Sequence, residues 1–181
     1  MHDSHPLLHK ALGLIATKGW DAFSLADLVE ENVTSQEVVR VFETKEDVLK
    51  AFSACISAAL TQTPFNFEGE EALQGRLFEV MMARFDLLAP YKEASRQILS
   101  YFERHPLEGV TFLCLLENEM AALLSLVGEH KSYPPLFTKA CLGVYLLSLR
   151  TWHEEESPDS EATMSYLHQA LGRVCRLYSV S

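Results

Sequence analysis

Apolar residues recur every three to four positions along almost the whole chain, and alternation with period two over several residues is missing. Asn-Gly and Asp-Gly hairpin turns are missing as well. The pattern predicts an all-α protein of about nine helices. A first helix runs from near His5 to Lys18 and stops at Gly19. Ser24 caps a second that ends near Glu31, and Thr34 or Ser35 caps a third that ends near Phe42. Thr44 caps a longer helix from Lys45 to about Thr61, with Glu46 and Asp47 in its first turn, where negative charge suits the helix dipole. Further helices are expected at 70–88, 90–103, 107–129, 133–153 and 158–178. Pro90, Pro106, Pro134 and Pro158 stand at or near their starts, where a missing N–H costs nothing.

Thr63–Gly69, with Pro64 and Gly69, is the clearest break. It marks a soft boundary between a small N-terminal module, assigned to residues 1–52, and a C-terminal helical bundle, assigned to residues 53–181, with the helix that begins at Lys45 tying the two together. The three short N-terminal helices are too small to fold alone. Their apolar positions, among them Leu8, Ile15, Phe23, Leu28, Val38 and Phe42, form one shared core. Gly109–Gly128 and Tyr133–Leu149 are the most apolar stretches, but charged residues interrupt both before the length of about 20 apolar residues that a span requires. Glu117 and Glu119 stand in the first and Lys139 in the second. No integral membrane association is expected.

The chain has 181 residues and a net charge of −10. That charge excludes a general polyanion binder and requires any nucleic-acid contact to use a local patch. Cys55, Cys114, Cys141 and Cys175 are widely spaced, with no zinc pattern, and a reducing cytoplasm is the simplest location. His5 and His9 lie one turn apart, with His2 nearby, yet no third ligand accompanies them, so no metal is assigned. No phosphate-cradling loop, nucleophile elbow or dinucleotide fingerprint is present, and neither catalytic residues nor a cofactor are assigned. Glu117 and Glu119, two apart on a helix, point to different sides. Of the two, Glu117 is placed with Met120 as a polar group beside a ligand. The acidic run Glu154–Glu156 reads as a solvated helix end, with Ser157 positioned to cap the final helix.

The segment Gly19-Trp20-Asp21-Ala22-Phe23-Ser24-Leu25-Ala26-Asp27-Leu28, then Thr34-Ser35, then Phe42-Glu43-Thr44-Lys45-Glu46-Asp47-Val48-Leu49, resembles the N-terminal domain of TetR-family regulators. The resemblance implies a TetR-like fold with a helix-turn-helix whose second helix enters the DNA major groove. It implies phosphate-contacting caps at Ser24 and Thr34, groove-facing Ser35, Gln36 and Arg40, and a phosphate-holding Lys45. Val39 stands where the family has a tyrosine, and Asn32 where it has a glycine, a position asparagine tolerates at positive φ. Residues 1–52 hold five lysines and arginines against nine aspartates and glutamates.

A second resemblance concerns Arg84-Phe85-Asp86-Leu87-Leu88-Ala89-Pro90-Tyr91-Lys92-Glu93-Ala94, Phe137–Ala140, Trp152–Asp159, Thr163 and Tyr166-Leu167. These are similar to the C-terminal region of the TetR-like lipid-binding accessory proteins of ubiquinone biosynthesis. The two resemblances imply an apolar pocket for a hydrophobic small molecule or lipid, and a homodimer through the last two helices. Phe85, Leu88, Phe102, Phe112, Leu116, Met120, Tyr145, Leu149 and Trp152 are the expected lining. Two functions follow. One is a transcriptional regulator binding operator DNA and a hydrophobic effector. The other is a lipid or isoprenoid carrier that no longer reads DNA.

Overall fold

A computed structural model describes residues 4–67, 72–128, 133–157 and 159–178, without the side chains of residues 4 and 5. Eight α-helices and two 3-10 turns make up the described secondary structure: α1 (Ser4–Ala22), α2 (Ser35–Val41), α3 (Lys45–Gln62), α4 (Leu73–Leu88), α5 (Lys92–Arg104), α6 (Gly109–Val127), α7 (Pro135–Glu154) and α8 (Glu161–Tyr178). The helix expected between Ser24 and Glu31 is instead a single 3-10 turn, Leu25–Leu28, which lowers the α-helix count from nine to eight. Four residues between a capping serine and an extended Val29 leave no room for an α-helical ladder. A second 3-10 turn, Ala89–Tyr91, carries Pro90 and leads into α5. The expected helix ends at residues 70, 129 and 158, together with Gly69, Pro158 and His2, lie outside the described residues.

Gly19 breaks α1 as its position predicts. Its φ of 83° and ψ of 161° lie where a side chain would be strained, so the last residues of the helix turn away from its axis. Asn32 does not use positive φ; among the described non-glycine residues only Ser160 does. The turn before α2 is closed by a mutual backbone pair, Glu30 N–H to Val33 O at 3.1 Å and Val33 N–H to Glu30 O at 3.0 Å.

The described chain forms two compact units. The first holds residues up to Ile56 together with Leu88–Phe112. In it α1 packs along α5 and against the first 3-10 turn, which also receives α2. Leu8, Ala11, Ile15, Trp20, Phe23, Leu28, Val38, Phe42, Val48 and Leu49 are buried there. The chain returns to this unit after α4, so α5 belongs by packing with the N-terminal helices rather than with the bundle in which the division at residue 52 placed it.

The second unit holds Ser57–Leu87 and the residues from Leu113 onward, with α7 packed along α8. Leu77, Val80, Met81 and Phe85 of α4 are buried in it, as are Leu116, Met120, Leu123 and Leu124 of α6 and Cys141, Tyr145, Leu149 and Trp152 of α7. Glu155, not Ser157, caps α8. Its carboxylate accepts from the N–H of Ala162 at 2.7 Å, the N–H of Thr163 at 3.1 Å and the Thr163 hydroxyl at 2.5 Å. The acidic run therefore has one structural member. Among the described residues α6 is the one helix long and apolar enough to cross a membrane. Both of its carboxylates face cations in the second unit, Glu117 beside Lys139 at 3.9 Å and Glu119 beside Arg84.

Candidate functional site

Two separate sites emerge, one in each unit. In the first, α2 is short and strongly two-sided. Val38 and Phe42, one turn apart, are buried, while Ser35, Gln36, Arg40 and Val39 are exposed, Val39 by 57%. Buried anchors on one side and hydrogen-bonding, cationic and methyl groups on the other give the helix a presentable face.

The residues expected to hold phosphate are engaged elsewhere. Thr34 caps α2, and Glu37 reaches back to it, accepting from the Thr34 N–H at 2.7 Å and its hydroxyl at 2.8 Å. Asp27 does the same for Ser24, at 2.9 Å from the N–H and 3.3 Å from the hydroxyl, and Asp47 for Thr44 at 2.8 and 2.9 Å. In all three the acid satisfies the N–H at the start of a helical turn from within the chain, and the pair is reciprocal at Thr34, whose hydroxyl accepts from the Glu37 N–H at 3.3 Å. Lys45 lies 4.6 Å from the centre of the Trp20 ring and donates to the Asp21 carbonyl at 3.4 Å. Burial lowers its pKa. Lys10 bonds the Leu28 carbonyl and Glu30, each at 2.8 Å; Lys18 pairs with Asp27 at 2.7 Å and Lys50 with Asp47 at 2.8 Å. Among the lysines and arginines described in the first 52 residues, Arg40 and Lys45 form no ion pair, and Lys45 is held instead by the Trp20 ring and the Asp21 carbonyl.

These caps set a pH dependence. The Lys50 ammonium, followed by the Thr44 N–H and hydroxyl, holds the Asp47 carboxyl at about 2 rather than 3.8. Lys18 and Ser24 lower Asp27 in the same direction, and the Thr34 N–H and hydroxyl lower Glu37. A carboxyl depressed in the folded state stabilises fully above its unfolded pKa and loses that contribution as pH falls through its folded value. For Asp47 the window runs from about 4 down to about 2. A carboxyl-carbon NMR titration is expected to place its midpoint near 2, and Thr44→Val to move it upward.

The second site lies in the other unit. Phe85 of α4 has its ring 5.5 Å from both Tyr145 and Trp152 of α7, so three expected lining residues do gather. Leu116, Met120 and Tyr145 line a partly open cavity of about 10 Å³, together with Arg84, Glu119 and Leu123. Leu149 is buried on α7 without lining it. Leu88, Phe102 and Phe112 belong to the first unit, where Phe102 stacks on Phe112 at 4.7 Å and approaches Trp20 at 6.1 Å. A larger open groove of about 330 Å³, bordered by Cys114, Glu117, Asn118, Ala121, Tyr133, Pro135 and Thr138, contains none of the nine expected residues.

Sequence reasoning missed the two residues that dominate the small cavity. Arg84 of α4 donates from Nε to the Tyr145 hydroxyl at 3.0 Å and from Nη2 to Glu119 Oε2. Both partners of this ion pair are more than nine-tenths buried. Burial pushes Glu119 above the usual carboxylate range, with Arg84 opposing. The other Glu119 oxygen, Oε1, is buried without a hydrogen-bond partner among the described residues. In this small cavity the carboxylate beside Met120 is Glu119, whereas Glu117 borders the larger groove. No group of three or more potential metal ligands occurs among the described residues, and Cys55, Cys114, Cys141 and Cys175 form no disulfide.

A small N-terminal helix cluster carrying a two-sided α2, with a larger helical bundle behind it in sequence, is an all-α architecture of the TetR-like kind. A TetR transcriptional regulator from Nitrosomonas europaea ATCC 19718 shares this fold with a TM-score of 0.73, over 96% of this chain and 98% of that one, at 17% sequence identity. No family model matches the chain, and no curated protein matches it.

Proposed function

We propose that this chain is a TetR-like transcriptional regulator that reads operator DNA with α2 and binds a hydrophobic small molecule in its second unit. The observation that carries this reading is the exposed side of α2. Gln36 offers the amide that pairs with adenine, Arg40 the fork that pairs with guanine, and Val39 a methyl surface for thymine. Buried Val38 and Phe42 fix the helix from the opposite side. The fold shared with a protein described as a TetR regulator supports the same reading.

Regulators of this kind act as dimers, and α7 and α8 carry the apolar surface that one would use. Leu136, Leu147, Tyr166 and Leu177 are exposed, and no atom lies within 4 Å of where a Cβ on Gly143 would stand. In a two-fold dimer the effector would act by changing the separation of the two reading heads, since half-sites lie a whole number of helical turns apart.

A specific observation favours a second reading, a lipid-carrying accessory protein with a silent head. The carboxylates of Asp27, Glu37 and Asp47 sit at the helix starts that would otherwise receive phosphate. The deciding experiment titrates the purified chain against its own promoter-region DNA and against random DNA of equal length at low salt. Preference for the promoter, reduced tenfold or more by Arg40→Ala, is the regulator's outcome. Indifference to both DNAs, unchanged by that substitution, is the carrier's.

A further inference from the structure

The cavity between α4, α6 and α7 joins three features: apolar walls from Leu116, Met120 and Leu123, a buried ion pair, and one carboxylate oxygen left without a donor. A buried acceptor without a partner is costly, and the cavity that the Glu119 side chain lines is close to the smallest that holds one water molecule. We infer that this cavity is the head-group subsite of the ligand-binding unit, and that its ligand is a neutral apolar molecule whose terminal hydroxyl donates a hydrogen bond to Glu119 Oε1. The inference rests on the ligand-binding half of the proposed function and is independent of DNA reading.

The charge arrangement selects the class. Arg84 already neutralises Glu119, and two of its donors are committed to Glu119 Oε2 and the Tyr145 hydroxyl. A carboxylate or phosphate head would bring a second negative charge against Oε1. An ammonium head would meet the Arg84 guanidinium across the same small space. A hydroxyl escapes both repulsions, is about the size of one water molecule, and can donate one hydrogen bond to Oε1. The apolar remainder of the ligand leaves through the partly open mouth, past Met120, whose unbranched side chain repacks at little cost.

The test uses the full chain and three probes of equal chain length: 1-octanol, octanoate and octylammonium. Calorimetric titration at neutral pH is expected to show 1-octanol binding at least tenfold more tightly than either ion. The Glu119 carboxyl-carbon resonance is expected to shift on octanol binding. Leu116→Phe and, separately, Leu123→Phe would fill the cavity and leave the ion pair in place. Whichever keeps a native far-UV spectrum is expected to lose the octanol site. Equal binding of octanol and octanoate, an unmoved Glu119 resonance, or undiminished binding in the filled variant overturns the subsite while leaving an apolar ligand elsewhere in the unit. Failure of all three probes to bind overturns both the subsite and the ligand-binding reading on which it rests.

Discussion

Replacing Arg84 with methionine is expected to destabilise the protein by about 3–5 kcal/mol, a large share of the stability of a domain this size. The substitution preserves much of the buried volume but strands Glu119, whose side chain is only 9% exposed, and removes the donor to Tyr145. The loss comes from the uncompensated carboxylate rather than from the attraction of the pair. The double substitution Arg84→Met with Glu119→Leu is therefore expected to recover most of it, because both charges then leave the interior together. Urea denaturation of the parent, both single variants and the double variant closes the cycle. Additive losses in the double variant would show that the two side chains act independently.

Phe42→Ala is expected to be of similar size, about 3–5 kcal/mol, through the cavity it opens. Phe42 is 1% exposed and closes α2, its N–H donating to the Val38 carbonyl at 2.8 Å. A seven-residue helix has no stability of its own, so without this anchor the face proposed to read DNA has no fixed orientation. Amide exchange in α2 is expected to accelerate and DNA binding to disappear. In the proposed regulator, Arg40→Ala is expected to weaken DNA binding tenfold or more while leaving exchange in α2 unchanged. Together the two variants separate the scaffold of the helix from its chemistry.

Local signals in the sequence proved legible where their partners are also local. Thr34, which caps α2, and Thr44, which donates to Asp47 at the start of α3, act three positions from their acids, and Gly19 breaks its helix through its own backbone. Buried positions such as Leu28, Val38 and Phe42 follow from periodicity. Periodicity reports that a side chain is buried without reporting beside what, and the nine-residue lining shows the cost. Phe85, Tyr145 and Trp152 do cluster, but Phe102 and Phe112, both half-buried, stack on one another in the other unit. The choice between Glu117 and Glu119 was hidden for a related reason. Two residues of helix separate opposite faces, and the face that matters is defined by Arg84, 35 positions earlier in the chain. An arginine within an amphipathic helix looks solvated until its partner is known.

The internal pairing of the head's lysines has a consequence for the thermodynamics of any duplex it meets. Affinity for DNA falls with salt because each phosphate neutralised releases condensed counterions, with a logarithmic slope of about −0.9 per phosphate. Lys10, Lys18 and Lys50 are matched by carboxylates of the same head, and Lys45 is held against Trp20. Under the proposed function that leaves Arg40, already assigned to a base edge, so each head would contribute a slope of at most about one. Ionic strength would then barely tune occupancy, and discrimination would fall to the groove edges of the bases. A protein so arranged would reach its operator by repeated collision from solution, with little capacity to glide along the intervening DNA.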